Sequence, residues 1–267
     1  MGNLLRRYRY SILLIRELVI TDFKLRYQGS FLGYLWSLLK PLAIFLIMYV
    51  VFLRFLKFNY GVPHTAVYLF VGIVLWSFFT EMTTVGISAI VGREDLIRKI
   101  NFPRYVLVFS VSFSAVINLM LNFVVVGIFM LLNHVAVTSR VFMLIPLVGE
   151  LYILALAVAF MLSALFVRLR DVNYIWDVVL QALFYAIPVI YPLTRVPQYW
   201  AKLLLLNPLA QIVQDVRYTV VTTRTPTISS YWHNPYARLI PIVAVILLTV
   251  MTMLYFRARS KFFAEEV

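Results

Sequence analysis

The sequence predicts an all-α integral membrane protein with an N-terminal helix at the membrane interface, six transmembrane helices and a short helical hairpin. Of the 267 residues, 63% are hydrophobic and 13% are charged. The mean hydropathy of +0.91 goes with an apolar fraction well above that of ordinary globular domains, which are roughly half apolar. Six stretches are also long and apolar enough to cross a hydrocarbon core about 30 Å thick.

The first 30 residues are predicted to form a cytoplasmic helix that lies in the membrane interface. Apolar residues recur at steps of three and four from Leu5 to Phe23, and charged side chains such as Arg6 fall on the opposite side. The pattern then turns through Gly29 and Gly33 into the first apolar segment. The alternative is an ordinary solvated helix with one packed face, but the nearby span favours the membrane surface.

Six apolar segments qualify as membrane spans. Most of the 24 basic residues fall on the side that holds both termini, so both termini are predicted to be cytoplasmic. The predicted spans run from Tyr34 to Phe55, Ala66 to Val91, Arg104 to Leu132, Phe142 to Val167, Tyr174 to Pro192, and Tyr236 to Phe256.

Residues 193–222 lie between the fifth and sixth predicted spans and contain two apolar patches too short to span. Pro208 lacks an amide donor and disfavours helix at Asn207, so this dipeptide is predicted to divide two short helices on the outer side. The hairpin either re-enters the membrane or lies flat on its surface. No repeat or linker divides residues 1–267, which are predicted to form one domain.

The residue types give little support to an enzyme. No glycine precedes a lysine, so a Walker A phosphate loop is excluded and any ATP must be hydrolysed by a partner. There is no cysteine, and His64, His134 and His233 lie far apart in the sequence. We therefore predict no catalytic residues, no metal site and no cofactor in this chain.

Three acidic residues lie within or near predicted spans. Because intramembrane carboxylates are costly and often functional, Glu81, Glu150 and Asp177 leave open a proton-coupled carrier. They are isolated on different segments, which argues against a relay. For Glu81 a structural role is favoured, in which it pairs with Arg54 or with backbone, serine or threonine groups of other helices.

Several aromatic side chains cluster near the first, second and fifth predicted spans. Tyrosine and tryptophan form belts at both interfaces of membrane proteins, which is one interpretation. The other is a wide substrate pathway, because aromatic faces stack on the apolar faces of sugar rings. The candidate pathway residues are Trp36, Tyr49, Trp76, Phe79, Tyr185 and Tyr191.

The cytoplasmic segment between the second and third predicted spans reads GREDLIRKINFPR. Acidic residues come early and basic residues late, which suits the dipole of a short helix. Phe102 and Pro103 then end it. A charged helix capped by an exposed aromatic ring would dock a soluble partner, whereas the alternative is a plain solvated loop.

These segments together resemble the ABC-2 type permease family, especially permeases that export lipid-linked O-antigen, other surface polysaccharides and teichoic acids. The resemblance covers nearly the whole chain, in order and in spacing. It is carried by TDFKLRYQGSFLGYLWSLLKP, GIVLWSFF, DLIRKINFPR, RLRDVNYIW, AIPVIYPL and the closing FFAEEV.

The resemblance implies a half-transporter in a bacterial inner or plasma membrane. Two copies of the chain would form the pore and pair with two ATP-binding cassette subunits, which hold the ATP and Mg²⁺. The first and fifth spans would line the channel for a polyprenyl-diphosphate-linked polysaccharide. The residues that match the ATPase-coupling element are Asp95, Leu96, Arg98, Lys99, Phe102 and Arg104.

Four basic residues near the cytoplasmic interface are candidates for binding the lipid diphosphate at a portal, since cationic groups pair with phosphate there. They are Arg16, Lys24, Arg26 and Lys40. The alternatives for the function are an ABC-2 exporter of teichoic acid, a small lipid or a drug and, more remotely, the proton-coupled carrier.

Overall fold

The computed structural model describes residues 12–21, 33, 35–57, 61–100 and 102–263, and within these ranges every regular element is helical. The prediction of an all-α protein is therefore confirmed for the described residues. The helices are α1 (residues 12–21), α2 (Leu35–Tyr49), α3 (Thr65–Ile87), α4 (Glu94–Lys99), α5 (Tyr105–Leu132), α6 (Leu144–Arg168), α7 (Val172–Ala186), α8 (Gln198–Leu204), α9 (Pro208–Val220), α10 (Ile228–Trp232) and α11 (Leu239–Arg259).

Five helical segments of the described chain are long and apolar enough to cross a membrane. They correspond to five of the six predicted spans, and the predicted count of six is not confirmed. The segments are Leu35–Phe55, Thr65–Ile87, Tyr105–Leu132, Ser139–Arg168 and Pro235–Arg259. The first of them joins α2 to a π-helical stretch, Val50–Phe55.

The predicted fifth span, from Tyr174 to Pro192, is not one continuous helix. It contains α7, which has 15 residues and is about 22 Å long at a rise of 1.5 Å per residue. The helix ends because Ile187 precedes Pro188, and Ile187 accordingly has an extended backbone, with φ −84° and ψ 143°. Residues 187–190 then form buried turns within the protein.

Helix α3 is the centre of the bundle and contacts α2, α5, α6, α7 and α9. Its contact with α6 is close because Gly86 has no side chain. A Cβ atom at Gly86 would lie 2.7 Å from the Cβ of Ala159. The small residues at this crossing let the two backbones approach, as is common between helices in membranes.

Side-chain contacts define two opposite ends of the bundle. At one, the α4 end, Arg93 donates a hydrogen bond to the hydroxyl of Ser110 at 2.9 Å. At the other, the α9 end, the Tyr68 hydroxyl of α3 donates to Gln214 of α9 at 3.2 Å. The antiparallel helices between these ends carry the groove described below.

Helix α2 is tied to α5 where Pro41 interrupts its hydrogen bonds. Pro41 has no N–H to donate to the carbonyl of Ser37 one turn earlier. The side-chain amide of Asn122 on α5 donates to this carbonyl at 3.3 Å. Before α2, Gly33 has a φ of +45°, which glycine accommodates readily, so the predicted turn there is confirmed. Gly29 lies outside the described residues.

The predicted break at Asn207–Pro208 is confirmed. The Asn207 side chain accepts a hydrogen bond from the amide of Leu209 at 2.9 Å, and Pro208 is the first residue of α9. The two helices differ in burial, since α9 is almost wholly buried whereas α8 exposes Tyr199 and Trp200. Re-entry of this hairpin into the membrane stays a prediction.

Candidate functional site

An open groove lies between α2, α3 and α7 in the half of the bundle nearer the α4 end, with a volume of about 780 Å³. A second depression of about 330 Å³ continues it toward Tyr185. The two share six lining residues, so they form one continuous surface feature, which we call the groove. The shared residues are Ile44, Trp76, Ser77, Thr80, Leu180 and Gln181.

Three of the six predicted pathway residues line the groove. Trp36 stands at one end and is 54% exposed, and Tyr185 stands at the other and is 66% exposed. Trp76 lies between them on α3, packed against Phe184 with ring centroids 5.6 Å apart. The sequence therefore identified aromatic side chains at both ends of the groove and at its middle.

The other three lie outside the groove as the described residues define it. Phe79 is buried behind Trp76, with ring centroids 6.1 Å apart. Tyr49 lies beneath the guanidinium of Arg54, which is 5.9 Å from the ring centroid. The Tyr191 hydroxyl donates to the carbonyl of Ala186 at 2.8 Å, within the turns that follow α7.

The wall of the groove nearer the α4 end is polar. Glu81 of α3 and Asp177 of α7 both line it, together with Lys40 of α2. The amide of Asn118 on α5 donates to the Glu81 carboxylate at 2.7 Å. The predicted pairing of Glu81 with Arg54 is wrong, because Arg54 lies at the far end of the first span.

The structure describes two of the four predicted portal residues. Lys40 lines the groove, and Arg16 is exposed on α1. Lys24 and Arg26 lie outside the described residues. A cationic side chain therefore stands in the groove beside its polar wall.

The charged segment between α3 and α5 contains the predicted short helix, α4, with Glu94 and Asp95 in its first turn and Arg98 and Lys99 in its last. Asp95, Arg98 and Lys99 are exposed, and Leu96 is half-buried. The arrangement matches the helix dipole and presents both signs of charge to the surroundings.

The prediction that Phe102 is an exposed docking residue is wrong. Its side chain is 3% exposed and belongs to the apolar core. Ile100 is extended after α4, and the chain turns back toward α5 through Pro103, so the ring is buried against the bundle. Arg104 lies over this ring, 5.5 Å from its centroid, and donates to the carbonyl of Phe102.

The sequence reading missed a buried cationic residue at the α9 end. Arg217 of α9 is fully buried. Its guanidinium donates to the carbonyl of Tyr68 at 2.9 Å and to the carbonyls of Pro188 and Val189 at 2.5 Å each. A charged residue in an otherwise apolar region was the signal that could have found it.

A second polar group joins α9 to the short helical turn Pro235–Arg238, which precedes α11. Asp215 and Arg238 form an ion pair at 3.2 Å, and Gln211 donates to the same carboxylate. Burial raises the pKa of Asp215, while Arg238 and the Gln211 bond act in the opposite direction. Glu150 of α6 interacts electrostatically with both partners of this pair.

The three acidic residues considered for a proton relay therefore do not form one chain in the described structure. Glu81 and Asp177 share the groove, whereas Glu150 faces the Asp215–Arg238 pair near the α9 end. Among the described residues, no group of three or more histidine, aspartate or glutamate side chains is arranged to hold a metal ion.

Comparison with known proteins identifies the family. The sequence profile described as ABC-2 type transporter matches residues 14–221. The chain is 31% identical over 263 residues to the O-antigen export system permease protein RfbA of Myxococcus xanthus, with 97% of each chain covered. It is 26% identical to a protein of the same name from Klebsiella pneumoniae, with 79% of this chain and 82% of the relative covered. With five apolar helices among its described residues, the chain is a multi-pass membrane protein that belongs to the ABC-2 type transporter family.

Proposed function

We propose that this chain is the permease subunit of an ATP-driven exporter that carries O-antigen from the cytoplasm to the outer face of a bacterial inner membrane. The substrate follows from the name of the Myxococcus xanthus relative, which matches 97% of this chain. The structural observation that carries the proposal is the continuous groove from Lys40 to Tyr185.

The groove has the surface chemistry that a moving polysaccharide needs. The exposed rings of Trp36 and Tyr185 offer apolar faces to sugar rings, and stacking on such faces does not depend on one hydrogen-bond pattern. Helices α2 and α7, which form its sides, also carry exposed apolar residues. We propose that a second copy of the chain packs against these sides and completes the channel.

Two ATP-binding cassette subunits would drive the homodimer. We propose that they contact α4 on the cytoplasmic side, through Asp95, Arg98 and Lys99, with Leu96 supplying apolar contact. Both termini would then be cytoplasmic. Phe102 and Arg104 would act indirectly, because their contact fixes how α4 is joined to α5.

The substrate would enter as a polyprenyl-diphosphate-linked glycan. Lys40 lines the groove in its half nearer the α4 end, and a cationic group near the cytoplasmic interface would attract the diphosphate. Arg16, Lys24 and Arg26 would add to this attraction from the N-terminal segment. Replacing Lys40 with glutamine should reduce export while leaving complex assembly intact.

The deciding experiment is purification of the chain with its native partners, followed by ATPase assays in lipid vesicles. An ATP-binding protein must co-purify, and polyprenyl-diphosphate-linked glycan should stimulate its ATPase activity more than hydrophobic drugs do. Stimulation by drugs and not by the glycan would contradict the proposed substrate. Transport driven by a proton gradient without an ATPase would contradict the whole proposal.

A further inference from the structure

We infer that the polar wall of the groove is a hydroxyl-binding subsite, built from Thr80, Glu81, Asn118 and Asp177, that selects a neutral glycan over a phosphodiester polymer. This inference rests on the proposed export function and adds a substrate class to it. It is carried by two buried polar atoms that belong to residues lining the groove and that have no hydrogen-bond partner among the described residues.

Asn118 supplies the first such atom. Its side chain is 3% exposed and lines the groove. Its Nδ2 donates to Glu81 at 2.7 Å, whereas its Oδ1 is buried without a hydrogen-bond partner. Buried polar groups are normally paired, and an unpaired one lowers stability unless a ligand satisfies it.

Thr80 supplies the second. Its hydroxyl is also buried without a partner, and the residue lines both parts of the groove. The neighbouring Glu81 brings its carboxylate to the same wall, and Asp177 faces it from α7. One residue of α3 and one of α5 that line the groove therefore each hold a buried polar atom without a hydrogen-bond partner in the described part of the chain.

The charged side chains on this wall are the two carboxylates of Glu81 and Asp177 and the ammonium of Lys40, so anionic groups outnumber cationic ones among the described residues. The two carboxylates and the Asn118 Oδ1 accept hydrogen bonds, so they require donors from the ligand. Sugar hydroxyls are donors, whereas the phosphodiester groups of a teichoic acid backbone are acceptors only and carry negative charge. Trp36 is exposed, lines the same part of the groove and provides an apolar face on which a sugar ring would stack.

The test compares two substrates on the purified transporter complex in vesicles, using ATPase stimulation to obtain KM and kcat. The probes are undecaprenyl diphosphate carrying a mannan chain and the same carrier with a poly(glycerol phosphate) chain. The wild-type complex should show a lower KM for the mannan probe. A lower KM for the phosphate polymer would overturn the subsite.

Thr80→Val is the decisive variant, because it removes a hydroxyl that makes no hydrogen bond to any described residue. It should raise the KM for mannan roughly threefold to tenfold, as expected for one lost hydrogen bond, and leave kcat, thermal stability and the KM for the phosphate polymer unchanged. Thr249→Val makes the same chemical change on α11, where the hydroxyl bonds to Val245 of its own helix, and should leave the KM for mannan unchanged.

The outcomes separate this inference from the proposed function. If mannan stimulates the wild-type complex but Thr80→Val and Thr249→Val have the same KM, the subsite is wrong and export of a lipid-linked glycan stands. If neither polyprenyl-linked probe stimulates the wild-type complex, the proposed function fails, and the subsite fails with it.

Discussion

The guanidinium of Arg217 lies 3.9 Å from the ring centroid of Tyr68 and donates to the backbone carbonyl of that same residue at 2.9 Å. Its other nitrogens reach the carbonyls of Pro188 and Val189, where the chain has just left α7. One buried side chain thus joins α9, α3 and the turn after α7. Its planar group of donors suits this task, and a lysine would satisfy fewer of the carbonyls.

Replacing Arg217 with methionine should lower the free energy of unfolding by about 3 kcal/mol or more, since hydrogen bonds to charged groups contribute about 1.5–3 kcal/mol each. Arg217→Lys should be intermediate. Thermal unfolding in detergent, followed by size-exclusion chromatography, measures the effect. Arg224 is exposed, so Arg224→Gln is the control. Equal thermal stability of Arg217→Met and Arg224→Gln would refute this role.

Glycine positions give a second prediction. A Cβ atom at Gly72 would overlap the Arg217 guanidinium and lie 2.7 Å from the carbonyl oxygen of Val189. Gly72→Ala and Gly86→Ala should therefore each lower the melting temperature, because overpacking costs typically about 1–3 kcal/mol. A Cβ atom at Gly127 would have no neighbour within 4 Å, so Gly127→Ala should be neutral or slightly stabilising. A destabilised Gly127→Ala alongside an unaffected Gly72→Ala would contradict the packing described.

The Asp215–Arg238 pair predicts a pH dependence. Burial raises the pKa of Asp215 above its ordinary value of 3.8. The stability that this group contributes is therefore complete below that value and is lost as the pH rises through the raised pKa. In Arg238→Gln the carboxylate has lost its cation, so the loss near neutral pH should be larger, on the order of 3–5 kcal/mol.

Melting temperatures measured near pH 3.5 and near pH 7.5 test this. The double variant Asp215→Asn/Arg238→Gln has no carboxylate to ionise, so it should be more stable than Arg238→Gln at the higher pH and nearly equal to it at the lower pH. If the added Asp215→Asn change gives no benefit at the higher pH, the ion pair is not what stabilises this contact.

Substitutions around α4 should separate loss of binding to the ATP-binding subunit from loss of thermal stability. Arg98→Glu combined with Lys99→Glu changes exposed side chains, so it should weaken co-purification of the ATP-binding subunit without lowering the melting temperature. Phe102→Ala removes a buried ring, which costs about 3–5 kcal/mol in typical cores, and should lower the melting temperature of the permease by itself. Loss of ATPase binding by Phe102→Ala at unchanged stability would restore the exposed docking role that the structure contradicts.

Most of the helices were predictable because apolar length is a strong signal in a membrane protein. Hydropathy does not show where a helix ends inside an apolar region. The predicted fifth span therefore extended to Pro192, although α7 ends at Ala186, two residues before Pro188. The prediction at Asn207–Pro208 was right, because there the proline follows an asparagine that caps the next helix.

The groove was only partly predictable. Trp36, Trp76 and Tyr185 were found from aromatic clustering, but Phe79 has the same chemistry and lies behind Trp76. Which face of a helix is buried depends on the helices that pack against it, and a single sequence does not show which helices these are. The contact between Glu81 and Asn118 joins residues 37 positions apart, and no local pattern pairs them. Arg217 and Asp215 lie in a segment that was predicted to form short apolar helices, so neither was identified as a functional residue.

The burial of α9 imposes an order on the biogenesis of this protein. Its buried polar residues are costly to place in lipid, so α9 can settle only into a cleft already formed by other helices. One of its partners, Arg238, comes later in the chain than α9 itself. Asp215 is therefore synthesised before its counter-ion, and this ion pair can form only after the chain has been made as far as Arg238.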